Sequence, residues 1–206
     1  DGVSAYSEAL EARGGSVVHK EFVPTDTTDF TAPSQRLFNA LKDRSDCQEK
    51  HIFVIWAGGG NPLSKIKDLR PERFDIQLAT GGNILPALVA YSEFPGLEGA
   101  TFYYYEHPTN DINKWLVQQH YQRFNEPPDF FTAQGMATGL FIVKALREAG
   151  STDTEELIGV MEGMAWETPK GPMTMRVEDH QAMQPMYHFR IKKEERDNWF
   201  ADRTVT

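Results

Sequence analysis

The chain has 206 residues, of which 21 are lysine or arginine and 30 are aspartate or glutamate, so its formal net charge is −9. Hydrophobic residues make up 40% and charged residues 25%, a composition typical of a folded globular chain and not of a disordered one. The acidic balance argues against nucleic acid or an anionic membrane as the main partner, because both require a positive field. The single cysteine, Cys47, excludes an intrachain disulfide and a metal site built on several cysteines.

Helix and strand patterns alternate along the first half of the chain. Apolar periodicity and capping signals predict helices over residues 3–13, from Thr31, after an Asn61 cap, and from an Asn83 cap through Tyr91. Apolar or alternating runs predict strands over residues 16–23, 51–56, 74–78 and 100–105. This alternation predicts an α/β fold, with a parallel sheet covered by helices on both faces. In such sheets ligands usually bind outside the carboxyl ends of the strands.

The second half of the chain has a different pattern. A helix over residues 110–124 is followed by two prolines in residues 126–129, which favour a crossing between lobes. A long apolar helix follows over residues 131–149, and its glycines at 135 and 139 are spaced to let another backbone approach. Further on, the sequence predicts a short helix capped by Thr152-Asp153, strands over residues 172–176 and 186–192, and a charged, poorly patterned tail after Lys193.

Two glycine-rich segments follow predicted strands and precede predicted helices: residues 56–61 and 80–83. Glycine at such a place lets backbone N–H groups approach a ligand, and a helix start favours a carboxylate or phosphate. The first segment lacks the third glycine of a dinucleotide loop, since Leu63 stands there, and no Lys-Ser/Thr pair follows. Tight-turn architecture alone would also explain either segment. Their place at neighbouring strand ends favours a shared binding cleft.

Two aromatic residues are candidates for the wall of such a cleft. Trp56 ends a predicted strand beside the glycines, and Phe131 begins the long helix after the proline break. The six histidines are scattered without ligand spacing, and no Gly-x-Ser-x-Gly elbow is present. The sequence therefore predicts a binding protein that is not an enzyme and needs no metal or cofactor.

Three segments carry a family resemblance: residues 14–30, residues 127–131 and residues 168–181. They read GGSVVHKEFVPTDTTDF, PPDFF and TPKGPMTMRVEDHQ, and they occur in this order along the chain. In both motifs and order the chain resembles the amino-acid/amide substrate-binding proteins of ABC transporters. These belong to the branched-chain-amino-acid type and have the type I periplasmic-binding-protein fold. The likeness extends from the first residue to about Lys193.

The resemblance implies two α/β lobes that close over a small ligand about a hinge. Residues 1–124 would form the second, carboxyl-terminal lobe without its first strand, and residues 125–181 a partial first lobe. Residues 182–206 would form the return strand and tail. The first lobe is then incomplete, and the chain is expected to be a carboxyl-terminal portion of such a protein, with exposed surfaces that invite homodimerisation.

The resemblance also implies a function: the periplasmic solute-binding component of an ABC importer, with a membrane permease as partner. Family members of the amino-acid type often place an acidic residue in the second glycine segment, and residues 80–83 contain none. The expected ligand is a small amino-acid-like molecule, an amide, or an aromatic or aliphatic carboxylate, and the missing acid favours an uncharged amide or a carboxylate. Alternatives are a ligand-sensing module of a receptor or regulator, and an α/β enzyme acting on a phosphorylated substrate. The expected ligand-binding residues are Trp56, Ala57, Gly58, Gly59, Thr80, Gly81, Gly82, Asn83 and Phe131.

Overall fold

The computed structural model describes residues 2–56 and 60–192. Its α-helices are α1 (Gly2–Glu11), α2 (Thr31–Leu41), α3 (Leu63–Asp68), α4 (Leu85–Ala90), α5 (Asp111–Phe124), α6 (Phe130–Ala149) and α7 (Thr154–Met161). Its strands are β1 (Lys50–Val54), β2 (Ile76–Asn83), β3 (Glu98–Thr101), β4 (Ala165–Thr168), β5 (Gly171–Met175), β6 (Ala182–Met183) and β7 (Tyr187–Arg190). The predicted α/β class is confirmed.

A four-stranded sheet in the order β1-β2-β3-β7 organises most of the chain. Strands β1, β2 and β3 are parallel, as the helix–strand alternation predicts, whereas β7 runs antiparallel to β3. The sheet is therefore mixed, which corrects the expectation of a purely parallel one. The predicted apolar face of β7 is confirmed, because Tyr187, Phe189 and Ile191 are all buried in the main core.

A second, antiparallel sheet in the order β4-β5-β6 packs against α6. Trp166 on β4 fixes this packing, since its indole N–H donates to the Ala137 carbonyl at 3.0 Å and its ring lies 4.5 Å from that of Phe141. Helix α6 supplies Ala133 to the main core and Ala137 to the smaller one. It therefore ties the two sheets together, while the lobe boundaries at residues 124 and 181 stay predictions.

The strand predicted over residues 16–23 is wrong. These residues lie outside both sheets, and their amides and carbonyls make no backbone–backbone hydrogen bond within the described chain. The apolar alternation is that of a strand, but a strand forms only where a neighbouring strand is available to pair with it. No described strand pairs with residues 16–23.

Other element boundaries differ by smaller amounts. Strand β2 extends beyond the predicted residue 78 to Asn83, β3 ends at Thr101 instead of residue 105, and β4 and β6 were not predicted. The cap of α7 is confirmed, because the Asp153 side chain accepts from the N–H groups of Glu155 and Glu156. The predicted charged tail begins where the described residues end. Within the described residues, no helix combines the length and hydrophobicity needed to span a membrane.

Candidate functional site

The carboxyl ends of β1, β2 and β3 lie at one edge of the four-stranded sheet, because these strands are parallel. Val54 at the end of β1 pairs with Thr80, and Asn83 at the end of β2 pairs with Thr101 at the end of β3. Trp56 follows β1 by two residues. The structure therefore brings Trp56, the first residue of the first predicted segment, to the same edge as the second glycine-rich segment, at the end of the strands where ligands of open α/β sheets bind.

The second glycine segment is a β-bulge inside β2, which corrects the prediction of a loop. Thr80 pairs with Gly99 and Asn83 with Thr101, so β2 carries one residue more than β3 between these pairs. Bulges often lie next to binding sites, where they redirect the strand. A Cβ atom on Gly81 would lie 2.3 Å from the hydroxyl of Tyr6. A side chain at residue 81 would therefore have to displace the Tyr6 ring of helix α1.

The predicted helix cap at Asn83 is also wrong. Asn83 is buried and ends β2, where its amide donates to the Ala100 carbonyl at 2.8 Å and its Oδ1 lies 3.3 Å from the Thr80 hydroxyl. Helix α4 begins two residues later, at Leu85. The side chains of Thr80 and Asn83 therefore hold the bulge in place.

Trp56 is the first residue of the first glycine-rich segment. Its ring packs edge-on against Phe30, with ring centroids 5.2 Å apart, and its buried indole N–H has no hydrogen-bond partner in the described chain. The predicted cap at Asn61 is present as a contact, since its Oδ1 accepts from the Leu63 N–H at 2.9 Å. The candidates Ala57, Gly58 and Gly59 lie outside the described residues.

Phe131 belongs to the same edge. It stands in the first turn of α6 with 68% of its surface exposed, and its ring is 5.4 Å from that of Phe130. Phe130 in turn packs on Phe102, the residue after β3, with centroids 4.8 Å apart. A row of aromatic rings therefore runs from the end of β3 to an exposed ring at the start of α6.

Asp129, which is not among the predicted ligand-binding residues, joins α4 to α6. Its Oδ1 accepts from the N–H of Leu85 at 3.0 Å and from the N–H of Phe130 at 2.6 Å. One carboxylate therefore caps two helices that begin side by side at the candidate site. The signal was present in the sequence, because aspartate directly before an apolar helical run is a common N-cap.

Replacing this shared cap tests its contribution to stability. We expect Asp129→Ala to lower the free energy of unfolding by about 1 kcal/mol, since both amides lose their acceptor. Asp129→Asn keeps an acceptor oxygen in place and is expected to cost less than half as much. Urea unfolding followed by circular dichroism measures both variants, and equal losses would contradict a capping role.

Titratable groups near the site are hydrogen-bonded to neighbouring residues or exposed to solvent. The hydroxyl and N–H of Thr31 hold the pKa of the exposed Asp29 below its usual range. Burial raises the pKa of Tyr103, whose hydroxyl donates to Asn113 Oδ1 at 2.6 Å. Within the described residues no group of three or more His, Cys, Asp or Glu side chains is arranged to hold a metal ion. The edge therefore has no metal-binding cluster among the described residues and presents aromatic surface at Phe131.

The family model for the periplasmic binding protein matches residues 1–196. The chain belongs to this family. The crystal structure of an ABC-type branched-chain amino acid transporter from Rhodopseudomonas palustris is 56% identical with a TM-score of 0.89, and the match covers 100% of this chain and 54% of that one. The Leu/Ile/Val-binding protein homolog 6 of Brucella melitensis is 25% identical over 94% of this chain and 50% of its own length.

A third relative shares the fold at lower identity. The solute binding protein of an ABC transporter from Rhodopseudomonas palustris BisB5, solved in complex with 3,4-dihydroxybenzoic acid, has a TM-score of 0.69 and 24% identity. The match covers 94% of this chain and 53% of that protein. The chain therefore spans about half the length of the relatives it matches. The resemblance inferred from the sequence motifs is confirmed, and so is the type I fold.

Proposed function

We propose that this chain contributes the carboxyl-end edge of its four-stranded sheet to the ligand site of an ABC-importer solute-binding protein. The observation that carries the proposal is the convergence at that edge of Trp56, the bulge at Gly81 and the exposed ring of Phe131, in a chain of the periplasmic binding protein family. Such a protein binds its solute without chemical conversion. It works in the periplasm and delivers the solute to a membrane permease.

The ligand class follows from what the edge lacks and what it exposes. Residues 80–83 carry no carboxylate to meet an ammonium group, and Asp129 is occupied by the N–H groups of two helices. The indole N–H of Trp56 has no acceptor among the described residues, and Phe131 presents an exposed ring. These features suit an aromatic or aliphatic carboxylate, or a neutral amide, whose oxygen accepts hydrogen bonds and whose apolar body packs on a ring.

A thermal-shift panel tests this proposal. Ligand that binds only the folded state raises the melting temperature by mass action, so benzoate, 3,4-dihydroxybenzoate, isobutyramide, leucine and glycerol phosphate are compared at equal concentration. We expect a rise with a carboxylate or the amide and none with glycerol phosphate. A response to leucine alone would contradict the ligand class, and a response to phosphate alone would contradict the solute-binding function.

Trp56→Ala tests the contribution of the indole ring to the site. We expect about tenfold weaker binding of the panel's best ligand, because the variant loses one hydrogen-bond donor and an aromatic wall. Trp115→Ala is the matched control, since Trp115 lies half-exposed on α5 and has no place at the sheet edge. Isothermal titration measures both variants, and unchanged affinity in Trp56→Ala would remove this residue from the site.

A further inference from the structure

A cavity lies at the end of the four-stranded sheet opposite to the candidate site. Its volume is about 490 Å³, within the range of sites that hold small ligands. Strand β2 begins at Ile76, whereas β3 begins at Glu98, which pairs with Ala79, so the first residues of β2 precede the start of β3. The cavity fills the notch that this stagger leaves, with residues 76–78 on one side and residues 94–98 on the other. It therefore lies at the amino ends of these strands and shares no residue with the candidate site.

Much of the cavity lining is apolar. Ile76 and Leu97 are each 2% exposed and belong to the main core, and Leu78 and Phe94 are partly buried against that core. Pro71, also buried, completes this part of the lining. A ligand with an apolar body would therefore exchange water for packed side chains when it enters the notch.

One wall of the cavity is the short 3-10 helix Pro71–Phe74, and its backbone is strained where it begins. Arg70 precedes this helix in the left-handed conformation, with φ of 53°, and Asp75 follows it with φ of 55°. A side chain such as arginine rarely adopts this conformation, and strain of this kind is concentrated at binding sites. The wall is therefore held in a place that its local sequence does not favour.

Lys67, in the last turn of α3, supplies a fixed positive charge to the cavity. Its ammonium donates to the Glu93 carbonyl at 2.7 Å and lies 4.8 Å from the centroid of the Phe94 ring. An ammonium has three donors, so this arrangement anchors the side chain and leaves donors for a ligand. No carboxylate of the described chain forms an ion pair with Lys67.

The other charged groups of the lining are Glu72, Glu98 and Arg190. Glu98 and Arg190 neutralise each other, because Arg190 Nε donates to Glu98 Oε1 at 2.6 Å. His188 Nε2 lies 3.1 Å from the second oxygen of the same carboxylate. The Glu72 carboxylate, by contrast, has no ion pair with a described residue. One ammonium and one carboxylate therefore line a largely apolar cavity without a charged partner.

We propose that this cavity is a second ligand site, which binds a short apolar peptide with free termini. The peptide carboxylate pairs with Lys67, the peptide ammonium pairs with Glu72, and the apolar side chains pack on the lining. A single amino acid is less suitable, because its two charges share one carbon atom whereas Lys67 and Glu72 stand on different elements of the fold. This inference goes beyond the proposed function, since it concerns another end of the sheet and another class of ligand.

Isothermal titration with three related dipeptides tests the charge pairing. The probes are leucyl-phenylalanine, its N-acetyl derivative and its carboxyl-terminal amide. We expect the free dipeptide to bind at least tenfold more tightly than either blocked form, because each blocked form leaves one charge of the cavity without a partner. Absence of binding by the free dipeptide would overturn the proposal, and so would equal affinity for all three probes.

Substitutions at exposed positions assign each preference to its side chain. Lys67→Met should abolish the preference for the free carboxylate over the amide, and Glu72→Gln the preference for the free amine over the acetylated form. Lys65→Met is the matched control, since Lys65 is exposed on the same helix but does not line the cavity, and it should keep both preferences. Preferences that survive in Lys67→Met and Glu72→Gln would place the dipeptide elsewhere and overturn the proposal.

Trp56→Ala separates this cavity from the candidate site. We expect the affinity for leucyl-phenylalanine to stay unchanged in this variant, because Trp56 lies at the carboxyl end of the sheet. The result does not depend on whether any carboxylate or amide binds at that end, so the two proposals fail independently. Loss of dipeptide binding in Trp56→Ala would mean that the peptide occupies the candidate site, which overturns the second site.

Discussion

Gly99→Ala is expected to destabilise the chain by about 3 kcal/mol or more, because the added methyl group has no space between two strands. A Cβ atom at this position would lie 2.2 Å from the Thr80 carbonyl oxygen and 3.0 Å from the Phe189 ring. The oxygen belongs to the backbone of β2 and cannot rotate away. Relief would require β2 and β3 to separate where the bulge begins, so the predicted ligand edge would be distorted as well.

Gly135→Ala is the matched control for this substitution. Gly135 lies in the middle of α6 with open space around it, so alanine there should stabilise the helix by up to about 1 kcal/mol. Urea unfolding of both variants, compared through the transition midpoint at constant slope, measures the difference. A loss below about 1 kcal/mol in Gly99→Ala would show that the two strands are not held at this separation.

The fold was largely predictable where a segment's own residues decide its structure. Helix α6 and the apolar face of β7 follow directly from periodicity, and the cap at Asp153 from its side-chain chemistry. Local periodicity fails to predict the structure of residues 16–23. Their alternating pattern is a true strand pattern, but pairing depends on a neighbour that is remote in sequence, and no local signal reports whether that neighbour is present.

The candidate site was predictable in place but not in detail. The alternation of strands and helices predicts parallel strands, and the carboxyl ends of parallel strands meet at one edge of the sheet. This was enough to predict that Trp56 and the second glycine segment lie at the same edge. No local signal showed that this segment continues a strand, because a bulge has the same glycine pattern as a turn until the partner strand is known. The same limit applies to Asn83. Its position after two glycines is typical of a helix cap, but its side-chain amide donates to the Ala100 carbonyl of β3.

Lys170 is a charged residue that the function leaves without a role. Its side chain is 6% exposed in the turn between β4 and β5, and its ammonium donates to Gln184 Oε1 at 2.8 Å. The Tyr187 ring centroid lies 5.6 Å from the same nitrogen. No carboxylate in the described chain pairs with this nitrogen, and burial lowers the pKa of Lys170 to about 8.

We therefore expect Lys170→Met to make the chain about 2 kcal/mol more stable at pH 7. A buried ammonium with only neutral partners loses more solvation than one hydrogen bond and one ring contact return, and methionine fills a similar volume without that cost. Lys114→Met is the control, because Lys114 lies at the surface and its ion pair with Asp111 is exposed. Replacing it should change the free energy of unfolding by less than about 0.5 kcal/mol.

The dependence on pH separates desolvation from simple repacking. A lysine in the unfolded chain titrates near pH 10.4, so between about pH 8 and 10.4 the unfolded state binds more protons at this site than the folded state. The native chain should therefore recover stability relative to Lys170→Met as the pH rises through this window. Below pH 8 the advantage of the variant should be at its full value. Unfolding at pH 7, 8, 9 and 10 measures the difference directly, and an advantage that stays constant would mean that the gain comes from packing and not from the buried charge.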